Sequence, residues 1–363
     1  MRTGKWNAFL SSLCAVAAAL GVVVAPSFAD VTTEQGSSIL IFPKVRASDQ
    51  FDTIIQITNT GNSMVHAHCN YVNALEDENG DPQWFEIDFN IWLTKQQPTH
   101  WVVSTGRRFD PTCDFGDECA GFSPGLVPPH PDFEGELKCV EVDESGAPIT
   151  GNHLKGIATI KALATVPDES TEGDISVYNA VGIRGNPDVV PGNPLVLDGE
   201  TYDACPSKTW VNFVAGGATN PFSDDDADVV NSELTLVPCE QDFELQIPES
   251  VKIQFLVYNE FEQVFSASLT VDCYLNTVLT DIDSFTTPEN SVFSTDVLGS
   301  FAAVAIINPV TQTDGSSGGL VGVVEHVYGI GADGAGRAAF NLHTEGSFIP
   351  ADGPDTIRLA EGF

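Results

Sequence analysis

Two tryptophans and two carboxylates fall at alternate positions of one segment of the chain. These are Trp84, Glu86, Asp88 and Trp92, with Phe and Ile at the odd-numbered positions between them. Because successive side chains of a strand point to opposite faces, the alternation predicts a β-strand with these groups on one face. Exposed indole rings can stack on the apolar face of a sugar while carboxylates accept hydrogen bonds from its hydroxyls. The segment therefore predicts a sugar-binding face, and the nearby Trp101 is expected to belong to it.

The same residues support two other interpretations. Glu86 and Asp88 are two positions apart, so on a strand they would lie about 6.6 Å from each other. An inverting glycoside hydrolase can use such a separation for its acid and its base. Alternatively, the rings could be covered by the long segment 106–151 or by the second half of the chain, which would leave no sugar site. All three interpretations stay open at the level of the sequence.

Two histidines lie on one face of the preceding predicted strand. His66 and His68 could offer two imidazoles to one metal ion. A metal site needs a third ligand, and only scattered groups such as His100 are near in the sequence. We therefore interpret the pair as polar surface.

Calcium is the one cofactor that the sequence suggests. Asp224, Asp226 and Asp228 match the first three ligand positions of a calcium-binding loop. The match stops there, because the sixth position is not glycine and Thr235 occupies the twelfth. The segment is a candidate calcium loop with an incomplete ligand set.

The cysteines predict structural disulfides. Outside the first 29 residues they are Cys69, Cys113, Cys119, Cys139, Cys205, Cys239 and Cys273. An odd count allows three bridges and one free thiol, and the spacing alone does not assign the pairs. Cys113 and Cys119 are the easiest pair to defend, because they bracket a short polar loop. In that loop, Asp114 and Asp117 form a second candidate calcium site.

The first 29 residues have the pattern of a secretory signal peptide. Arg2 and Lys5 precede an apolar run from residue 9 to 24, and the small-residue pattern ending at Ala29 favours cleavage there. Later in the chain no apolar run is long enough for a transmembrane helix. Acidic residues number 51 against 15 basic ones, and the net charge of −36 at pH 7 excludes nucleic acid as a partner. We expect a chain exported to the periplasm, the cell surface or the medium.

The remaining sequence predicts an all-β fold built from two copies of one unit. Alternation with a period of two dominates, and no window keeps helical spacing over three turns. Segment 52–59 is echoed by segment 252–259, and in each copy a turn and a cysteine-bearing strand follow. We therefore predict two tandem immunoglobulin-like antiparallel β-sandwiches, at residues 30–228 and 229–363. Residues 106–151, rich in Cys, Pro and Gly, are predicted to be a loop insertion in the first.

One turn carries a resemblance to a known class of module. The turn Asn59-Thr60-Gly61-Asn62 joins two predicted strands in a chain that we expect to be exported. This arrangement resembles the strand pairs of bacterial extracellular immunoglobulin-like adhesion and stalk modules. The resemblance implies a binding or spacer role without catalysis, and it transfers no functional residue.

Together these patterns predict an exported, non-catalytic binding or structural protein of the bacterial cell surface or periplasm. Its partner would be a protein or a polysaccharide. One alternative is an extracellular glycan-binding protein, or a glycoside hydrolase in which Glu86 and Asp88 act as acid and base. Another is a self-assembling surface-layer or fibre subunit, in which exposed edge strands pair between chains.

Overall fold

The computed structural model describes residues 31–75, 84–107, 124–163, 174–284, 286–311, 317–329 and 335–360. The fold is all-β, with 55% strand and 4% helix, as the alternating sequence predicts. Within these ranges no helix is long and apolar enough to cross a membrane. The predicted signal peptide, residues 1–29, lies outside the described residues.

The elements of the described ranges are short strands with three helical turns among them. The strands before residue 200 are β1 (Ile39–Ala47), β2 (Phe51–Asn59), β3 (Val65–Asn73), β4 (Glu86–Leu93), β5 (Pro98–Val102), β6 (Phe133–Val142), β7 (Leu154–Ala162), β8 (Ile175–Asn179), β9 (Val181–Ile183) and β10 (Leu195–Val196). The later strands are β11 (Lys208–Val214), β12 (Ala218–Thr219), β13 (Val229–Pro238), β14 (Gln241–Asp242), β15 (Ser250–Asn259), β16 (Val264–Asp272), β17 (Leu275–Val278), β18 (Ala302–Pro309), β19 (Leu320–Gly329), β20 (Ala335–Asn341), β21 (His343–Glu345) and β22 (Thr356–Arg358). The helices are α1 (Asp281–Ser284), a 3-10 turn (Pro288–Asn290) and α2 (Thr295–Leu298).

These strands form five sheets. Sheet 1 has the order β4-β3-β6-β1-β9, sheet 2 the order β5-β2-β7-β8, and sheet 3 the order β16-β15-β18-β11-β21. Sheet 4 has the order β12-β13-β19-β20, with β17 also paired to β13, and sheet 5 the order β10-β22-β14. The five sheets follow one another in a propeller-like ring and are not clearly two tandem immunoglobulin-like sandwiches, which corrects the finer part of the predicted fold.

Hydrophobic clusters show which sheets face each other. Sheets 1 and 2, the first sheet pair, enclose a core that includes Phe42, Ile55 and Trp101. Sheets 3 and 4, the second sheet pair, enclose a core that includes Phe213 and Phe255. A third cluster joins the outer face of sheet 1 to sheet 5 and to the ends of β13 and β19. Burial of these apolar faces is the main favourable contribution to folding.

The segment predicted as a loop insertion contains a central strand. β6 lies within residues 106–151 and pairs with both β1 and β3 in the middle of sheet 1. The sequence hides this strand because its outward positions carry Glu136 and Lys138, which look like surface residues. Both are buried, and their charged atoms lie 2.8 Å apart. On the other face, Cys139 forms a disulfide with Cys69, its register partner on β3.

Two strands from before residue 228, the predicted boundary between the two copies, lie in the sheets of the second pair. β11 ends at Val214, yet it pairs with β18 and β21 in sheet 3. β12 likewise pairs with β13 in sheet 4. The second sheet pair therefore takes strands from before residue 228.

A buried ion cluster connects the two sheet pairs. Lys44 of β1 lies 3.1 Å from Glu233 of β13 and 3.0 Å from Glu325 of β19. Arg337 of β20 lies 2.9 Å from Glu325. Burial opposes ionisation of Glu233, but the charges of Lys44, Arg46 and Arg337 outweigh it and lower the pKa of Glu233 to about 2. Glu233 is therefore ionised at neutral pH.

Candidate functional site

The predicted sugar-binding face lies on the outer side of β3 and β4. Asp88 and Trp92 of β4 stand opposite Asn70 and His66 of β3 in the antiparallel register. The odd-numbered residues of β4, from Phe89 to Leu93, point the other way into the first core, as the alternation predicts.

Trp92 is covered on this face. Its ring stacks on His66, with centroids 4.4 Å apart and an interplanar angle of 10°. Its backbone N–H donates to the carbonyl oxygen of Pro124. Gly125 has φ +94°, and a Cβ there would lie 2.7 Å from the Asn90 carbonyl oxygen and 3.4 Å from the Trp92 ring. The chain after residue 123 thus runs beside β4 and close to the ring, and Trp92 is half-buried.

The other two tryptophans are also packed. Trp84 contacts the third hydrophobic cluster, between sheet 1 and sheet 5. Trp101 is 2% exposed, and its indole N–H donates to the Tyr71 hydroxyl at 2.6 Å. Trp101 also meets Phe89 edge to face in the core. It therefore does not lie on the predicted face, because β5 directs its ring between sheets 1 and 2.

The two histidines converge on an amide instead of a metal. His66 Nε2 lies 2.9 Å from Asn90 Oδ1, and His68 Nδ1 lies 3.2 Å from the same oxygen. Burial lowers the pKa of His68, which favours its neutral form. No three-ligand cluster is found around them among the described residues.

Glu86 is the most perturbed carboxylate on this face. Burial, and secondarily the charge of Asp88, raise the pKa of Glu86 to about 8. Asp88 is exposed. A carboxylic acid that stays protonated near neutral pH can serve as a general acid. A groove of about 470 Å³ lies elsewhere, on the outer face of sheet 2, and is lined by residues that include Gln56, Thr58 and His100.

One candidate calcium loop lies within the described residues, and the other lies outside them. In the first loop, Asp228 contacts the Ser223 hydroxyl, and its backbone N–H donates to the Asp225 carbonyl oxygen. Asp224, Asp226 and Asp228 do not bring three ligand atoms together within the part of the chain that the structure describes. Asp114 and Asp117, with Cys113 and Cys119, lie outside the described residues. Calcium binding stays a prediction.

One convergence of metal-ligand types is found in the described ranges. Cys205, Cys239 and Asp355 are all buried, with ligand atoms within 4.8 Å of one another. The two cysteines are joined in a disulfide, and both Asp355 oxygens accept the Gly319 N–H. The group is therefore already satisfied as a structural crosslink. Cys273 is a buried free thiol, and burial raises its pKa to about 12.

A row of four aromatic rings lies on the second sheet pair, and we call it the aromatic row. Phe222 contacts Tyr328 at 5.6 Å between ring centroids, Tyr328 contacts His326 at 6.3 Å, and His326 contacts Phe340 at 5.1 Å. Phe222 is 81% exposed and Phe340 is 48% exposed. Phe222 and Tyr328 meet edge to face at 63°, as do Tyr328 and His326 at 73°, whereas His326 and Phe340 are tilted by 51°.

Strand register and a pinned loop position the row. In the β19–β20 pair, Tyr328 stands opposite Gly336 and His326 opposite Ala338. These small residues leave the two rings without a large neighbour on β20. The loop that carries Phe222 is fixed by Asn220, whose Oδ1 accepts the Phe222 N–H and whose Nδ2 donates to the Gly329 carbonyl oxygen.

Sequence reasoning missed the aromatic row because its members come from three separate segments. Within one strand, only the i, i+2 pair His326 and Tyr328 gives a local signal. Phe222 stands in a loop, beside the aspartate run that draws attention as a calcium candidate. Only the pairing of β19 with β20 brings Phe340 next to them.

Comparisons with known proteins assign no family. No family model matches the chain, and no curated protein matches it. Among solved structures, the chain is similar to a protein from Parabacteroides distasonis that is inferred to be secreted, with 10% identity, a TM-score of 0.19, and coverage of 88% of this chain and 92% of that one. The chain is also similar to red sea bream transglutaminase, with 9% identity, a TM-score of 0.14, and coverage of 88% of this chain and 32% of that one. For the Macrobrachium rosenbergii nodavirus the identity is 11% and the TM-score 0.15, with coverage of 81% of this chain and 76% of that one. Such low TM-scores carry no functional argument.

Proposed function

We propose that this chain is an exported, non-catalytic binding protein that holds a polysaccharide on the aromatic row. The observation that carries the proposal is the row itself, in which two strongly exposed rings flank two half-buried ones. A large exposed ring loses contact with water only when a partner covers it, so a ligand gains apolar burial there.

The disulfides support export. Cys69–Cys139 and Cys205–Cys239 are both formed, and disulfides persist in the periplasm and outside the cell. The signal peptide predicted from residues 1–29 leads to the same compartments. We place the protein in a bacterial periplasm or at the cell surface.

The charge beside the row favours a ligand without negative charge. Asp224, Asp225 and Asp226 are exposed in the loop that carries Phe222. An anionic glycan on the row would meet these carboxylates and lose affinity by repulsion. A neutral polysaccharide can stack its sugar rings on the aromatic faces and donate hydroxyl hydrogens to the carboxylates.

Affinity electrophoresis in gels that contain a neutral polysaccharide tests this function. We expect one or more of xylan, glucomannan, starch or hydroxyethylcellulose to slow the wild-type protein, and alginate not to do so. Phe222→Ala combined with Phe340→Ala should abolish the slowing. The matched control combines Phe261→Ala with Phe301→Ala, which removes two rings that are 67% and 42% exposed elsewhere. Slowing by none of the neutral glycans, or equal loss in both double variants, would refute the proposal.

A glycoside hydrolase is the second candidate, and the raised pKa of Glu86 is the observation that favours it. Under this candidate Glu86 protonates the leaving group and Asp88 activates water. Release of reducing sugar from the same glycans would be measured for the wild type and for Glu86→Gln. Equal release from both would remove this candidate, and Glu260→Gln, at an exposed turn, is the control.

A further inference from the structure

β16 is an edge strand of sheet 3 that has α1 near it but no charge, proline or bulge at its centre. Its nine residues run from Val264 to Asp272 and contain no Lys, Arg or Pro, and the single charge stands at the last position. It pairs with β15 on one side. Natural edge strands usually carry an inward charge, a proline or a bulge that prevents pairing with another chain. β16 has none of these.

The register fixes which backbone groups of β16 face outward. Asn259 N–H donates to the Gln263 carbonyl oxygen at one end of the hairpin, and Cys273 N–H donates to the Glu249 carbonyl oxygen at the other. Hydrogen-bonded pairs alternate in an antiparallel ladder, so the odd-numbered residues of β16 bond to β15. The even-numbered residues Val264, Ser266, Ser268 and Thr270 therefore direct their N–H and C=O groups away from the sheet. In the described ranges no backbone hydrogen bond reaches them.

The side chains of β16 also leave apolar area uncovered. Phe265, Ala267 and Leu269 pack against the second core but are only half-buried. On the opposite face, Ser266, Ser268 and Thr270 are exposed. A strand added beside β16 would cover Phe265, Ala267 and Leu269 on one face of the sheet. On the other face its side chains would stand beside Ser266, Ser268 and Thr270.

We propose that β16 pairs antiparallel with β16 of a second copy of this chain, about a two-fold axis through Ser268. In this register Phe265 meets Val271 of the partner subunit, and Ala267 meets Leu269 of the partner subunit. The apolar face of sheet 3 thus continues across the interface. About six backbone hydrogen bonds form between the outward groups of Ser266, Ser268 and Thr270.

Self-pairing suits this strand because the register is self-complementary. The three outward residues at the centre are all hydroxyl residues, which make favourable Ser–Ser and Ser–Thr cross-strand pairs. Asp272 falls opposite Val264 of the partner subunit, so no carboxylates meet. The net charge of −36 on each chain opposes association, so salt should strengthen the dimer by screening. The two edges of sheet 2 differ, since β5 contains Pro98 and β8 is contacted by Asn341.

Sedimentation velocity of the full chain across a wide concentration range, at low and high salt, tests the proposal. We expect a monomer–dimer equilibrium that shifts toward dimer at high salt. Ser268→Lys places two ammonium groups opposite each other on the axis and should weaken the dimer at least about tenfold. Gln254→Lys is the matched control, because Gln254 is exposed on the same face and is the register partner of Ser268 on β15.

A crosslink provides the second measurement. Ser268→Cys should give a disulfide-linked dimer on mild oxidation, since directly opposed Cα atoms of a hydrogen-bonded pair are about 5.5 Å apart. Gln254→Cys should not crosslink. A wild-type chain that stays monomeric in both salt conditions overturns the proposal. A dimer that Ser268→Lys leaves unchanged, or that Ser268→Cys does not capture, overturns it too, because the interface is then elsewhere.

Discussion

The two sheet pairs differ in how far their aromatic rings and their edge strands are exposed. In the first pair, Trp92 is stacked on His66 beneath Gly125, and Trp101 lies between the sheets. In the second pair, the aromatic row keeps Phe222 and Phe340 exposed, and the even-numbered residues of β16 leave their outward backbone groups unpaired within the described ranges. Both arise from alternating strands, so alternation alone does not make a surface functional. What lies over the strand decides whether a ring supports the fold or meets a partner.

Removing Trp101 is the strongest test of this contrast. Trp101→Ala deletes a buried indole and its hydrogen bond to Tyr71, and we expect a loss of about 3–5 kcal/mol in the free energy of unfolding. Phe222→Ala, at a ring 81% exposed, should change that free energy by less than about 0.5 kcal/mol. Urea unfolding followed by circular dichroism measures both.

Because the alanine variant could fail to fold, Trp101→Phe serves beside it. It keeps a ring in the core and removes the hydrogen bond to Tyr71, so a loss of about 1–2 kcal/mol is expected. If Trp101→Ala lowers the free energy of unfolding no more than Phe222→Ala does, Trp101 is not buried between sheets 1 and 2.

Much of β4 follows from its sequence, whereas the fate of its outward residues does not. The alternation places Phe89, Ile91 and Leu93 in the core, and they are buried there. The cover over Trp92 comes from Gly125, 33 positions later in the chain, and no local pattern reports such a contact. β6 was hidden for a related reason, since the pairing of Glu136 with Lys138 allows burial of residues that usually mark a surface.

The internal echo is reproduced in the turns and only partly in the pairing. Asn59 Oδ1 accepts the Gly61 N–H, and Asn259 Oδ1 accepts the Phe261 N–H, so both strands end in the same kind of turn. β2 pairs with β7 much as β15 pairs with β18. However, β15 continues into a hairpin with β16, whereas β3 joins a different sheet from β2. Local sequence specifies the turn, and packing selects the sheet, so the duplication stays a prediction.

The free energy of unfolding should depend on pH through Glu86, which lies on β4 of the first sheet pair. Glu86 has a folded pKa of about 8, above its ordinary 4.5, so the folded state binds this proton more tightly than the unfolded state. Its contribution is fully present below pH 4.5 and is lost as pH rises to about 8. Glu86→Gln should remove that loss, which we expect to be about 4 kcal/mol between pH 5 and pH 9. Urea midpoints of wild type and variant from pH 5 to 9 measure it.

The acid side of the profile has a different origin and serves as an internal control. Glu233 has a folded pKa of about 2, below its ordinary 4.5, so its contribution is present above pH 4.5 and is lost as pH falls toward 2. Glu86→Gln should leave this acid limb unchanged. A variant profile parallel to the wild type between pH 5 and 8 would show that Glu86 is not buried as described.

The smallest expected effect concerns β8, the edge strand of sheet 2 that Asn341 of β20 contacts. β20 lies beside β8, where Asn341 Oδ1 accepts the Asn179 N–H and Asn341 Nδ2 donates to the Asn179 carbonyl oxygen. One side chain thereby replaces a neighbouring strand at the end of β8. Asn341→Ala should cost about 1–2 kcal/mol, because it leaves two backbone groups dependent on water. It should also make β8 resemble β16, since Ile175 and Val177 on that strand are already 56% and 48% exposed.

Sedimentation velocity would show whether β8, once uncapped by Asn341→Ala, pairs with another chain. The test uses the double variant Ser268→Lys with Asn341→Ala. Because Ser268→Lys suppresses pairing through β16, any dimer that the double variant forms must use another edge. Asn186→Ala, which removes a side chain from a distant loop, is the control in the same background. If the double variant sediments as a monomer and unfolds at the wild-type urea midpoint, the amide of Asn341 does not guard β8. The tendency of the β16 edge to pair would then come from its sequence, which carries no charge before Asp272, and not from the absence of a side-chain cap.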